Sequence, residues 1–110
     1  MDYRLKKEKD FKKVFNKGKK IYSAHLTLIY VSEETLKVGY AVSKKHGNSV
    51  TRNRIKRILR ESFRSFSPSL SKNFFFVFIP KVLETPISLE EAKKEMAYIF
   101  KKGGFLTENT

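Results

Sequence analysis

Two stretches in the first two thirds of the chain place apolar residues at the three- and four-residue spacing of an amphipathic helix. The apolar stripe of the first stretch consists of Phe11, Val14 and Phe15. It predicts a short helix over residues 7–17, and Gly18 follows as a C-terminal glycine. The second stretch predicts a longer helix over residues 49–66, with Asn48 or Ser49 as its cap.

Three other stretches have the composition of β-strands. Residues 22–31 alternate between two faces and predict a strand, and residues 36–42 predict another after a short polar turn. The short connection favours a hairpin between these two strands. Residues 74–79 are apolar at every position, which is typical of a strand that is covered on both faces.

A capping-box pattern at Ser88 and Glu91 predicts the start of the last helix. A glycine pair ends it, and residues 104–110 predict a frayed tail beyond an ordered core of about residues 5–102. The order helix, hairpin, helix, strand, helix predicts an α+β fold. We expect a single-domain α–β sandwich in which three helices pack on one central sheet.

Length and composition exclude several classes of protein. A chain of 110 residues fits one domain, and the absence of cysteine excludes disulfides, thiolate nucleophiles and cysteine-based metal sites. No apolar run approaches the ~20 residues of a membrane span. The N-terminus is basic without a following apolar stretch, so we expect no secretory signal, a cytoplasmic protein and no membrane partner.

The net charge of +13 lies in two segments. Residues 1–20 carry nine bases and three acids, and residues 44–64 carry eight bases and one acid, while the rest of the chain is nearly neutral. Such a charge on a compact domain favours a polyanionic partner. Nucleic acid is the first candidate and an anionic membrane surface is the second.

The second basic segment forms a stripe on its predicted helix. At about 100° per residue, the stripe lies opposite the apolar face that contains Ile55. Its members are Asn53, Arg57, Arg60 and Arg64, flanked by Arg54 and Lys56. Arg52 is expected near the apolar edge, with its charged end at a rim between helix and sheet. Solvated helix faces usually mix the two signs of charge, but here Glu61 is the only acid. The stripe favours anion binding over an ordinary solvated face, and a membrane-surface helix is disfavoured because its apolar side must cover the strands.

A search for catalytic patterns finds none. His25 and His46 lack motif spacing, and metalloprotease, phosphate-loop and nucleophile-elbow motifs are absent. The acids of the last helix are expected on its polar face, where Glu91 caps the helix and Glu90 and Glu95 are solvated. These observations predict a binding protein.

Phe11 and Phe15 have two possible roles. They pack the first helix on the sheet, or they border a groove in which unpaired bases stack beside basic residues. Lys12, Lys13 and Lys17 lie close enough in sequence to support the second role. Spacing alone leaves both roles open.

The long basic segment, residues 44–61, resembles the signature of the bacterial ribonuclease P protein subunit, with its Arg-Asn-Arg triplet at 52–54. Residues 10–18 are similar to the first helix of that family, and residues 38–45 are similar to its strand and basic loop. The resemblance covers about residues 5–102. It implies an α–β sandwich with an unusual left-handed strand–helix–strand crossover.

The resemblance also implies a function. The protein would bind ribonuclease P RNA and precursor tRNA, with no obligate protein partner, and would assist maturation of the tRNA 5′ end. The RNA subunit would carry the chemistry and hold Mg²⁺, so no catalytic residue and no bound cofactor are expected on the protein.

Sixteen residues are candidates for these contacts. The expected RNA-binding residues are Lys44, Lys45, Asn48, Arg52, Asn53, Arg54, Lys56, Arg57, Arg60 and Arg64. A groove for the single-stranded 5′ leader, between the first helix and the sheet, would be bordered by Phe11, Phe15, Lys12, Lys17, Thr27 and Ile29. The strand position that is Ile29 here is one that can be aromatic in relatives, and Tyr30 stands next to it.

Two other functions fit the charge pattern. One is an RNA-binding or ribosome-associated module without an enzyme partner, against which the Arg-Asn-Arg segment argues. The other is a DNA-binding protein that uses the basic helix in a major groove. A predicted hairpin, and no helix-turn-helix, precedes that helix.

Overall fold

The computed structural model describes residues 2–107. Its helices and strands are, in chain order, α1 (Glu8–Lys17), β1 (Lys19–Tyr22), β2 (Leu26–Ser32), β3 (Lys37–Tyr40), α2 (Ser49–Phe66), β4 (Phe74–Pro80) and α3 (Leu89–Gly103). Short 3₁₀ turns lie before and after α2. None of these helices is both long enough and apolar enough to cross a bilayer.

The helix ends follow from local hydrogen bonding. Asn48 caps α2, because its side chain accepts from the backbone N–H of Thr51 at 2.9 Å. Ser88 and Glu91 form the predicted capping box at the start of α3. Gly104 ends α3 in the left-handed conformation, with φ of 71°, which glycine adopts without strain.

The four strands lie in the order β1-β2-β4-β3. β2 is antiparallel to both β1 and β4, and β3 is parallel to β4. The predicted hairpin between residues 22–31 and 36–42 is therefore wrong, because β4 lies between β2 and β3. A strand that is apolar on both faces is best accommodated at the centre of a sheet. The hairpin that does form joins β1, which was not predicted as a separate strand, to β2.

β3, α2 and β4 form a strand–helix–strand unit with a left-handed crossover. The N–H of Ala41, just after β3, donates to the Phe78 carbonyl on β4, and the Phe78 ring lies 6.4 Å from the ring of Phe63 on α2. In a strand of L-residues that runs upward, a residue whose side chain faces the viewer points its N–H and C=O to the right. Seen from α2, β3 therefore lies to the right of β4. The crossover from β3 to β4 is then left-handed, as the resemblance implies, whereas ~98% of such units are right-handed.

The sheet separates two hydrophobic clusters. Phe76 and Phe78 of β4 face α2 and α3 and belong to the larger cluster. Phe75 and Val77, at the alternating positions, face α1 and belong to the smaller one. The α–β sandwich thus has α1 on one face of the sheet and two helices on the other.

Both ends of the described chain are attached to this framework. Near the N-terminus, the Leu5 N–H donates to the Val38 carbonyl at 2.8 Å, so the first residues run beside β3. After α3, Phe105 is only 2% exposed, and the Thr107 N–H donates to the Ser69 carbonyl at 2.7 Å. The predicted fraying is therefore wrong for residues 104–107, because the Phe105 side chain is a core residue. Residues 108–110 of the predicted tail lie outside the described part of the chain.

Candidate nucleic-acid interface

The arginine stripe lies on the exposed side of α2. Ile55, Leu59 and Phe63 are buried against the sheet, and this fixes the opposite face of the helix towards solvent. The side chains exposed on α2 include Asn53, Arg54, Arg57, Arg60 and Arg64, whereas Lys56 is half-buried. Among residues 2–107, no ion pair involves a basic residue of α2. The charge of the stripe is therefore available to an external anion.

Arg52 lies at the edge of this face, as its helical position predicts. The side chain is half-buried, and one terminal nitrogen donates to the Ser49 hydroxyl at 3.2 Å. Its Nε is buried and has no hydrogen-bond acceptor in the described part of the chain. The guanidinium is thus held at the start of α2, and its Nε–H donor is not used within the described part of the chain.

His46 anchors the basic loop that precedes α2. Its Nδ1 accepts from the Ser43 N–H at 3.0 Å, so the ring proton resides on Nε2, which donates to the Pro80 carbonyl at 2.7 Å. The loop is thereby fastened to the end of β4, while Lys44 and Lys45 remain exposed. The sequence favours a surface or strand position for His46 over a catalytic role, and it does not predict this anchoring role. The capping-box spacing of Ser43 and His46 was the missed signal.

On the other face of the sheet, α1 covers one row of residues from three adjacent strands. Ile29, Val77 and Gly39 stand side by side in this row. Phe11 packs directly over Gly39, where a Cβ atom would lie 2.5 Å from the phenyl ring. Ile29 is 2% exposed and shares a buried cluster with Val14 of α1. Ile29 thus supports α1 from below and offers little surface to a ligand.

The next row of the sheet is left open. Tyr22, Thr27 and Ile79 are paired across β1, β2 and β4, and Ala41 follows next to Ile79. None of these four residues is buried, and Tyr22 is 60% exposed. We call them the open row. Tyr22, Ile79 and Ala41 were not among the sequence candidates, since only strand register shows that they accompany Thr27.

The other predicted groove residues lie on α1. Phe15 is 44% exposed, whereas Phe11 is half-buried over the sheet. Lys12 pairs with Glu8 within α1 at 3.6 Å, and Lys17 is exposed. α1 and the open row thus form a half-open groove with aromatic, aliphatic and basic members.

The groove and the arginine stripe lie on opposite faces of the sheet. They approach each other at one end of the molecule, where Ala41 leads into the basic loop and His46 contacts Pro80, the residue after Ile79. Lys44 and Lys45 therefore lie between the two surfaces. These two lysines would let a single extended polyanion contact basic residues all the way from the groove to the arginine stripe.

Glu95 differs from its prediction as a solvated acid. It is 8% exposed, because α3 turns it towards the β1–β2 turn. The Ser23 hydroxyl donates to it at 2.6 Å, the His25 N–H donates at 2.5 Å, and the His25 ring contacts it. Burial raises the pKa of Glu95, but these hydrogen bonds lower the pKa by a larger amount. The pKa of Glu95 therefore lies below its ordinary value. This cluster joins α3 to the hairpin.

Within residues 2–107, no group of three or more His, Asp and Glu side chains is arranged to hold a metal ion. The basic surfaces contain donors and cations, which suit phosphates. The fold and these surfaces together define a nucleic-acid-binding protein of the α+β class.

Comparisons with known proteins identify the family. The family model for Ribonuclease P matches residues 1–104. The ribonuclease P protein component of Bacillus velezensis is 39% identical over 90% of this chain and 87% of its own length. That of Bacillus cereus is 34% identical over 93% and 91%, respectively. The chain therefore belongs to the ribonuclease P protein family.

Solved structures show the same fold. The ribonuclease P protein of Staphylococcus aureus superposes with a TM-score of 0.84 at 24% identity, covering 97% of this chain and all of its own. The protein from Thermotoga maritima has a TM-score of 0.78 at 23% identity, covering 90% and 96%. The family forms the protein part of a ribonucleoprotein endoribonuclease for tRNA 5′ processing, so an RNA subunit is the partner of this chain.

Proposed function

We propose that this chain binds the ribonuclease P RNA through α2 and the basic loop, and binds the 5′ leader of precursor tRNA in the groove beside α1. It acts in the cytoplasm without an obligate protein partner. The RNA subunit holds Mg²⁺ and performs the hydrolysis. The protein contributes affinity and positioning.

One observation carries the RNA-binding half of this proposal. Four arginines of α2 are exposed and form no ion pair among residues 2–107, opposite a face that is buried in the core: Arg54, Arg57, Arg60 and Arg64. Arginine presents a planar fork of donors that matches phosphate oxygens. Phosphate contacts of this kind supply affinity without reading sequence. They suit a large folded RNA.

The leader-binding half rests on the groove. Single strands are held without sequence preference by aromatic stacking beside a basic track. Phe15 and Tyr22 offer exposed rings, and Lys17 is an exposed cation on the same helix as Phe15. Thr27 and Ile79 form a floor between β1 and the end of β3. An extended strand of nucleotides fits this arrangement better than a duplex does.

The deciding experiment mixes the purified protein with a bacterial ribonuclease P RNA and precursor tRNA at low magnesium concentration. We expect faster 5′ cleavage than with the RNA alone, because protein cations replace part of the metal-ion screening of the phosphates. The protein without RNA is the matched control and should not cleave. No acceleration by the protein would refute the proposed function.

A further inference from the structure

A second cleft opens on the α2 face of the sheet, at the C-terminal half of that helix. It lies between α2 and the N-terminal segment that runs beside β3, and its volume is about 600 Å³. That volume falls in the range of pockets that accept small ligands, ~300–1,000 Å³. Its lining includes Asp2, Arg4, Tyr40, Arg60 and Arg64.

The charge of this cleft is positive. Arg60 and Arg64 have no ion-pair partner among residues 2–107. The one acid of the lining, Asp2, already contacts Arg4 and Lys6, each at 3.1 Å. The two arginines of α2 are therefore the uncompensated charges, and an anion is the ligand they favour.

The cleft also contains an unused donor. The hydroxyl of Tyr40 is shielded from solvent and has no hydrogen-bond partner in the described part of the chain. Its ring lies nearly parallel to that of Phe78, with centroids 6.3 Å apart, and packs against the larger cluster. Burial raises the pKa of Tyr40, against the opposing influence of Arg60 and Arg64, and the hydroxyl keeps its proton. A buried donor without an acceptor is a cost to the folded protein unless a ligand supplies the acceptor.

We propose that this cleft binds a backbone phosphodiester of the ribonuclease P RNA, held by Arg60 and Arg64 and by a hydrogen bond from the Tyr40 hydroxyl. The exposed arginine side chains turn towards the incoming phosphate and uncover the hydroxyl. The RNA subunit, and not the leader, supplies this phosphodiester, because the leader groove lies on the opposite face of the sheet. This inference rests on the proposed function and assigns an additional contact to it.

The test measures affinity for the ribonuclease P RNA alone, at several salt concentrations, with single variants. Tyr40→Phe removes one neutral donor. We expect about 10-fold weaker binding with an unchanged salt slope. Arg64→Gln removes one cation, and we expect the log–log salt slope to fall by about one unit. Tyr98→Phe, which alters an exposed tyrosine on α3, is the matched control and should bind like the parent protein.

Thermal unfolding separates this role from a structural one. Tyr40→Phe should unfold at the same or a higher temperature, because it removes a buried hydroxyl that lacks a partner. Weaker RNA binding by an equally stable protein supports the cleft. Unchanged RNA binding by Tyr40→Phe overturns it.

Two further measurements distinguish failure of the cleft inference from failure of the proposed function, and show which RNA supplies the phosphate. If Arg57→Gln weakens RNA binding while Tyr40→Phe does not, the cleft inference fails and the proposed function stands. If neither variant has an effect, both fail. Leader-bearing precursor tRNA and mature tRNA should lose equal affinity with Tyr40→Phe. A loss confined to the leader-bearing RNA would contradict the assignment to the RNA subunit.

Discussion

Single residues of the same type have different roles on α1. Phe11 and Phe15 belong to one apolar stripe, yet Phe11 packs over Gly39 while Phe15 is 44% exposed. The difference arises because the helix contacts the sheet over a limited width, and Phe15 stands at the edge of that contact. Burial therefore favours a packing role for Phe11 and a groove role for Phe15.

Phe15→Ala should weaken binding of a leader-bearing precursor tRNA by roughly 1–3 kcal/mol, which is the scale of base–aromatic stacking. Mature tRNA, which has no leader, should lose much less affinity. Equilibrium binding of both RNAs to the reconstituted ribonucleoprotein measures the difference. Phe15→Leu keeps apolar surface but lacks the ring, so full binding by this control variant would exclude stacking.

Glu95 is a residue whose charge stabilises the fold. Its pKa in the folded state is below the ordinary value, so its contribution is present above the unfolded pKa of ~4.3 and is lost as the pH falls through the folded pKa. Glu95→Gln should lower the free energy of unfolding near pH 7 by about 1.5–3 kcal/mol, the scale of hydrogen bonds to a charged group.

Denaturant unfolding at neutral and acidic pH checks this prediction. The difference between the parent protein and Glu95→Gln should shrink as the pH falls below about 4, because protonation removes the same charge. The exposed neighbour Glu90 provides the control variant Glu90→Gln, which should leave the stability nearly unchanged. A difference that stays constant with pH would argue against a charged role for Glu95.

At the scale of elements, α1 and α2 each use one face for the core and another for the proposed RNA contacts. The division was visible for α2 in sequence, because its bases lie opposite a complete apolar face. It was not visible for α1, whose stripe is short. The way each helix sits on the sheet therefore decides which side chains remain accessible.

Replacing Arg57 and Arg60 of α2 together by alanine should flatten the log–log salt dependence of RNA affinity by up to about two units. The reason is that two phosphate contacts, with their released counterions, are lost. Lys93 and Lys101 of α3 are also exposed, and their double alanine variant removes the same charge outside the stripe. An equal change in slope for both variants would mean that net charge, and not the stripe, governs binding.

Gly39→Ala tests how α1 packs on the sheet, through the contact between Phe11 and Gly39. The added Cβ would lie 2.5 Å from the Phe11 ring, so the ring, or α1 with it, must shift. We expect destabilisation of about 1–3 kcal/mol, the usual cost of overpacking, together with weaker leader binding. Affinity for the RNA subunit should change little because α2 is on the other face.

A compensating variant makes this prediction sharper. Phe11→Leu removes the ring that the new methyl group meets, so the double variant with Gly39→Ala should recover part of the lost stability. Thermal unfolding of the two single variants and of the double variant measures the coupling. Strict additivity would show that Phe11 and Gly39 do not form the contact that seats α1.

At the scale of the whole molecule, the sequence determined the helices, their caps and the chemistry of the interface. These features depend on local spacing and hydrogen bonding, as at Asn48 and Ser88, or on the number of bases on one helix face. The resemblance of residues 44–61 to the ribonuclease P protein subunit identified the family, which the comparisons confirm.

Only the tertiary structure decided which strands are neighbours and which surfaces are open. The apolar run of β4 predicted cover on both faces, but no local signal encodes which strands become its neighbours, and the fold places it between β2 and β3. The same pairing aligns Tyr22, Thr27 and Ile79 and brings Tyr40 beneath two arginines of α2. Strand order and side-chain burial are long-range properties, so the leader groove and the second cleft emerge only when the whole chain is folded.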